Sequence, residues 1–180
     1  MTTRERVDTA MSASTERIAL LDNLENEVRA WLESDIGSRM EIEMFGIGVV
    51  QEHVAWLTVE EQRRSVKIPR EVARLSDELR RAQVVPGWGA WTWCRLWMDV
   101  SDGVLHQECD WMREPVFSRA SGDVRPGPGD CWSELERYPR DDEFIPDWLR
   151  RGYEVELKRR ERNARRREAR RRKRERERGD

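Results

Sequence analysis

The stretch Gly87–Trp111 reads GWGAWTWCRLWMDVSDGVLHQECDW, and its reading decides the fold. It contains two alternating runs, Ala90–Val100 and Val104–Trp111, separated by Ser101-Asp102-Gly103. Asp-Gly between such runs is a strong short-range hairpin signal. With Asp102-Gly103 as a two-residue loop, Ser101 is predicted to face Val104. One face then holds the pairs Val100/Leu105, Met98/Gln107, Leu96/Cys109 and Cys94/Trp111, which is largely apolar and expected to pack on helices. The other holds Asp99/His106, Trp97/Glu108, Arg95/Asp110, Trp93/Met112 and Trp91/Glu114. That face interleaves tryptophan with acids and sets Arg95 opposite Asp110, a favourable cross-strand pair.

Four of the nine tryptophans lie within ten positions here, and Trp91, Trp93 and Trp97 share the more polar face. Soluble proteins rarely expose large apolar areas, so part of the same chain is expected to fold over them, with the 113–130 loop and the C-terminal helix as candidates. The functional reading is a partner-docking face, where tryptophan is enriched. Its residues would be Trp91, Trp93, Trp97, Asp99, Glu108, Asp110 and Glu114.

Outward from the hairpin, Ile18, Leu21, Leu24, Val28 and Trp31 recur at three- and four-residue steps, predicting a helix from about Ser14 that Gly37 ends. Arg39–Val50 reads as a strand, with Ile42 and Met44 alternating with Glu41 and Glu43. His53–Glu60 and Arg64–Ile68 read as two more strands. Pro69 suits a helix start, and Val72, Leu75 and Leu79 mark a second helix running to about Gln83. Residues 118–130, SRASGDVRPGPGD, read as a loop. A short helix is expected over Trp132–Tyr138 and a last one from about Pro146. The order α-β-β-β-α-β-β-α-α makes this a single α+β domain with an antiparallel sheet packed by helices.

Charge divides the chain. Residues 1–157 carry 20 Lys/Arg against 31 Asp/Glu, whereas 158–178 carry 14 against 4. The expected organisation is a flexible N-terminus (1–13), an acidic domain (14–157) and an Arg-rich tail (158–180) that extends the last helix or stays disordered. The tail has two readings. It is a solvated helix, or it contacts nucleic acid non-specifically through Arg165, Arg166, Arg167, Arg170, Arg171, Arg172, Lys173 and Arg174. No aromatic interleaves with these cations, so base stacking has no support.

The N-terminus has no apolar signal-peptide core, and no run is long enough to span a bilayer. Three cysteines (Cys94, Cys109, Cys131) form no even disulfide framework, and a reducing cytoplasm is expected. Catalytic signals are weak. His106-x-x-Cys109 offers two zinc-type ligands, but they point to opposite faces of the strand. No phosphate-binding glycine loop or nucleophile elbow occurs. Neither an enzyme nor a metal, cofactor or small-molecule substrate is expected.

The second half resembles the YezG-like family of bacterial antitoxin and immunity proteins. The resemblance is carried by Leu79-Arg80 leading to Gly89-Ala90-Trp91, then Asp110-Trp111 with Glu114-Pro115. It closes on Tyr138-Pro139-Arg140 and Ile145-Pro146-Asp147-Trp148. It covers roughly 40–150 and is strongest over 79–149. Trp111-Met112 stands where the pattern more usually has Tyr-Asp, and the Arg-rich tail is outside it. The resemblance implies a non-enzymatic protein that binds and occludes a cognate toxin, with nuclease domains among the partners. The acidic domain is compatible with a basic nuclease cleft.

Overall fold

The computed structural model describes residues 3–179, with side chains described for 15–172, 174 and 175. The chain order is α1 (Thr3–Ser34), β1 (Arg39–Ile47), β2 (Val50–Val59), β3 (Gln62–Val66), α2 (Arg70–Ala82), β4 (Trp93–Asp99) and β5 (His106–Asp110). There follow β6 (Phe117–Arg119), β7 (Gly122–Val124), α3 (Pro128–Arg137), a 3-10 turn (Asp142–Phe144) and α4 (Asp147–Gly179). The α+β class and the antiparallel sheet are as expected. Strands β3-β2-β1-β4-β5 form one five-stranded sheet, and β6-β7 a separate small hairpin.

Period-two alternation gives the sheet two unlike faces. Met40, Ile42 and Met44 of β1, Leu57 of β2, and Cys94, Leu96 and Met98 of β4 point one way. They pack on Leu24, Val28, Trp31 and Leu32 of α1 and Val72, Leu75 and Leu79 of α2. A smaller core (Ile47, Phe117, Cys131, Leu149) joins the β1–β2 end of the sheet to α3 and the start of α4. Gly152 of α4 lies so close to Cys131 of α3 that an added Cβ would stand 2.3 Å from its sulfur, so only glycine permits this helix contact.

Several boundaries differ from expectation. The predicted Arg39–Val50 strand is cut by a tight turn at Gly48-Val49, where Gly48 has φ +56, and β2 begins at Val50. The β4–β5 loop spans 100–105, so the register moves by two residues: Arg95 faces Glu108, not Asp110, and Trp97 faces His106, not Glu108. Trp93 faces Asp110, and the expected Trp93/Met112 and Trp91/Glu114 pairs do not form. The reason lies in the loop. Asp102 Oδ1 accepts from Val104 N at 3.1 Å, and the Gly103 carbonyl is held by Arg29 of α1 at 2.7 Å. Asp-Gly therefore serves a wider turn moored to a helix. The expected 118–130 loop instead holds most of the β6–β7 hairpin and the start of α3 at Pro128. The basic tail continues α4 without a break to Gly179.

Candidate functional site

Helices α1 and α2 cover one face of the sheet. The opposite face is covered at its β1–β2 turn end by α3, the start of α4 and the β6–β7 segment; beyond that end, rows of side chains cross it. Ser65, Trp56, Glu41, Trp97 and His106 run in register across all five strands. Beside them lie the row Val54, Glu43, Arg95, Glu108 and the row Thr58, Arg39, Asp99, with Arg63 beyond Thr58. The expected docking residues Trp97, Asp99 and Glu108 are therefore on this face, half-buried or exposed.

At the centre, three guanidinium groups converge on one carboxylate. Glu41 receives Arg95, Arg63 at 2.9 Å and Arg39 at 3.4 Å. Arg39 also binds Asp99 at 2.8 Å. Burial alone would raise the pKa of Glu41, but the hydrogen bonds and positive charge of Arg95 and Arg63 outweigh it and hold the carboxyl below its usual value.

Each tryptophan of the face carries an arginine. Arg63 lies 4.0 Å from the Trp56 ring centroid, Arg95 5.2 Å from Trp97 and Arg113 4.5 Å from Trp93. Trp97 also stacks on His106 with centroids 5.2 Å apart and planes 13° from parallel. These cations shade the rings while their own heads stay in water. The acidic surplus of the domain is thus absent from the centre of this face, which is topped by arginine; Asp99 and Glu108 stand around it.

Other expected docking residues are elsewhere. Trp91 is fully buried in the main core, and its Nε1 donates to Gln83 Oε1 at 3.0 Å. It leaves the polar face because β4 begins only at Trp93. At Thr92 the backbone turns, with the Thr92 hydroxyl donating to the Arg113 carbonyl at 2.6 Å. Trp93 is buried beneath Arg113, and its Nε1 donates to Glu43 at 3.3 Å. So the 113–130 segment does cover one tryptophan, as expected, whereas the C-terminal helix packs on α3 instead. Asp110 spends its Oδ1 on the backbone N–H groups of Met112 and Arg113, at 2.8 and 3.1 Å. Glu114 pairs with Arg125. Trp56, Arg63, Arg39, Glu41 and Glu43 belong to the face but were missed. The Glu41/Glu43 alternation marked a polar side of β1, yet only the pairing of β1 with β4 places it beside the hairpin.

Several of the residues that carry the resemblance meet inside the protein. Arg80 donates to both Glu134 oxygens at 3.1 and 2.9 Å and to the Trp91 carbonyl at 2.9 Å. Arg140 donates to the carbonyls of Ala90 at 2.7 Å and Trp111 at 2.6 Å and approaches Glu134 at 3.5 Å. Glu134 also accepts from Gly48 N at 2.5 Å. All three charged side chains are 0% exposed. Leu79-Arg80, Gly89-Ala90-Trp91 and Tyr138-Pro139-Arg140 are therefore ties between α2, the start of β4, the β1–β2 turn and α3. Trp148 adds another, donating to the Met112 carbonyl at 2.8 Å.

The cysteines are placed for packing. Cys94 and Cys109 face each other across β4 and β5, and burial drives the Cys94 thiol far above its ordinary range. Cys131 is pushed up to about 11, again mainly by burial. Both are thiols at neutral pH and poor nucleophiles. His106 and Cys109 lie on opposite faces of β5. Among the described residues no group of three or more His, Cys, Asp or Glu could hold a metal ion, and no helix is long and apolar enough to cross a membrane. No family model matches this chain, and no curated protein matches it.

Proposed function

We propose that this chain is a non-enzymatic immunity protein that binds a cognate bacterial toxin and occludes its active surface with the open face of the five-stranded sheet. One observation carries the reading: away from the end that α3 and α4 cover, a row of side chains spanning all five strands presents Trp56, Trp97, His106 and the Arg39/Arg63/Arg95 cluster. Tryptophan and arginine are the residues most enriched where protein partners bind tightly. The resemblance of Leu79–Trp148 to immunity proteins supports a toxin as the partner.

The docking set is accordingly Trp56, Arg63, Trp97, Asp99, His106 and Glu108, without the buried Trp91 and Trp93. A nuclease toxin fits the overall acidity of residues 1–157. Contact by the face itself would rest on arginine and tryptophan more than on negative charge. The test is co-expression with the C-terminal domain of a large toxin encoded in an adjacent gene. Rescue of growth, with a complex that co-elutes on a sizing column, is the expected result. Absence of both removes the proposal.

A further inference from the structure

Along residues 161–175 of α4, acids and unpaired cations occupy opposite sides of the helix. Glu161, Glu168 and Glu175 are seven residues apart, so they form one row. Each is used locally: Arg165 reaches Glu161 at 3.8 Å, Arg172 reaches Glu168 at 2.5 Å and Arg171 reaches Glu175 at 3.5 Å. At about 100° per residue, the row Arg162, Arg166, Arg170 and Arg174 falls on the far side. Those four arginines, and Arg167 beside them, have no acidic partner among the described residues.

The row is regular. Four-residue steps put successive guanidinium stems about 6 Å apart along the axis, over about 18 Å in all. Like charges at this spacing repel and weaken an isolated helix slightly. The glutamates relieve that repulsion on one side only. An ordered line of anions would relieve it on the other, and the guanidinium fork suits phosphate oxygens.

The acidic domain does not cancel the far half of this row. Arg160 contacts the domain: its guanidinium lies 3.5 Å from the Trp132 ring centroid. Arg170 is ten residues farther, about 15 Å along the helix. That is nearly twice the screening length of about 8 Å at physiological salt. The row carries no apolar or aromatic side chain, so neither a protein pocket nor stacked single-stranded bases would find an anchor.

We propose that the acid-free side of residues 161–175 of α4, formed by Arg162, Arg166, Arg167, Arg170 and Arg174, binds the phosphate backbone of a nucleic-acid duplex without reading its sequence. The inference is independent of toxin binding, which would use the sheet.

The experiment is fluorescence anisotropy of the full chain with labelled 20-bp DNA and RNA duplexes of arbitrary sequence, titrated across salt. Binding should fall with a log–log salt slope of roughly −4, corresponding to four or five neutralised phosphates. Arg166→Gln/Arg170→Gln should weaken binding on the order of tenfold at low salt. Arg165→Gln/Arg172→Gln removes the same two charges from the glutamate side and should weaken it much less. Circular dichroism should show that both variants keep the helix. Equal losses in the two variants would mean total charge rather than a built side, and would overturn the proposal. So would absence of binding at about 50 mM salt. A self-association seen in sedimentation that Arg166→Gln/Arg170→Gln abolishes, without duplex binding, would assign the row to the acidic domain of a second copy instead.

Discussion

Two clusters in this fold gather arginines around a single glutamate, and their surroundings differ. At Glu134 the partners Arg80 and Arg140 have side chains 0% exposed. At Glu41 the partners Arg39, Arg63 and Arg95 are 32%, 52% and 36% exposed. The chemistry is shared, but water is excluded from one and admitted to the other. Inside, the guanidinium groups use fixed acceptors, the Trp91, Ala90 and Trp111 carbonyls, and only Arg140 Nε among their buried nitrogens lacks one. On the sheet face, arginines can exchange partners at little cost, which suits a surface that another protein covers.

The largest effect should come from Glu134→Ala. It leaves two buried guanidinium groups without their carboxylate, and about 3–5 kcal/mol of stability should be lost, read from urea unfolding midpoints. Gly46→Ala should follow. A Cβ there would stand 2.5 Å from Arg80 Nε, and displacing that side chain should cost about 1–3 kcal/mol. Glu41→Ala should cost at most about 1 kcal/mol, because its partners remain hydrated. A loss at Glu41 equal to that at Glu134 would break the distinction between the clusters.

Acid should expose a further contrast. His53 lies 3.1 Å from Asp77 without hydrogen-bond alignment, and burial lowers its pKa below 6.5 despite the pull of Asp77 and Glu52. The unfolded chain therefore binds a proton here at higher pH than the folded one, and stability should fall as pH drops below 6.5. His53→Gln should flatten that decline. Glu41 acts in a lower window. Its lowered folded value means that its contribution is present above 4.5 and is lost as pH falls through the folded value. Unfolding midpoints between pH 7 and pH 3 for the wild type and His53→Gln separate the two.

The alternation of the hairpin was legible because a two-residue shift in register keeps every side chain on its own face. Trp97 and Leu96 therefore stand on the faces that alternation predicts, although their cross-strand partners differ. Trp91 does not, because the alternation stops at Thr92, where side chain-to-backbone bonding starts a different path. The β6–β7 hairpin, three residues a strand, is too short for periodicity to register. The buried cluster was illegible for another reason. Arg80 and Glu134 are 54 positions apart, and nothing local marks an arginine on a largely polar helix as fully buried. The polar side of β1 could be read, but its place beside Trp97 is a property of strand order.

The claim that the open face is the partner surface is tested most directly at Trp97. Titration calorimetry of the adjacent-gene toxin domain should compare the wild-type chain with Trp97→Ala. Folding stability should change by about 1 kcal/mol or less. Affinity should fall about 30-fold, corresponding to about 2 kcal/mol. An unchanged affinity in a stably folded Trp97→Ala variant would contradict the account.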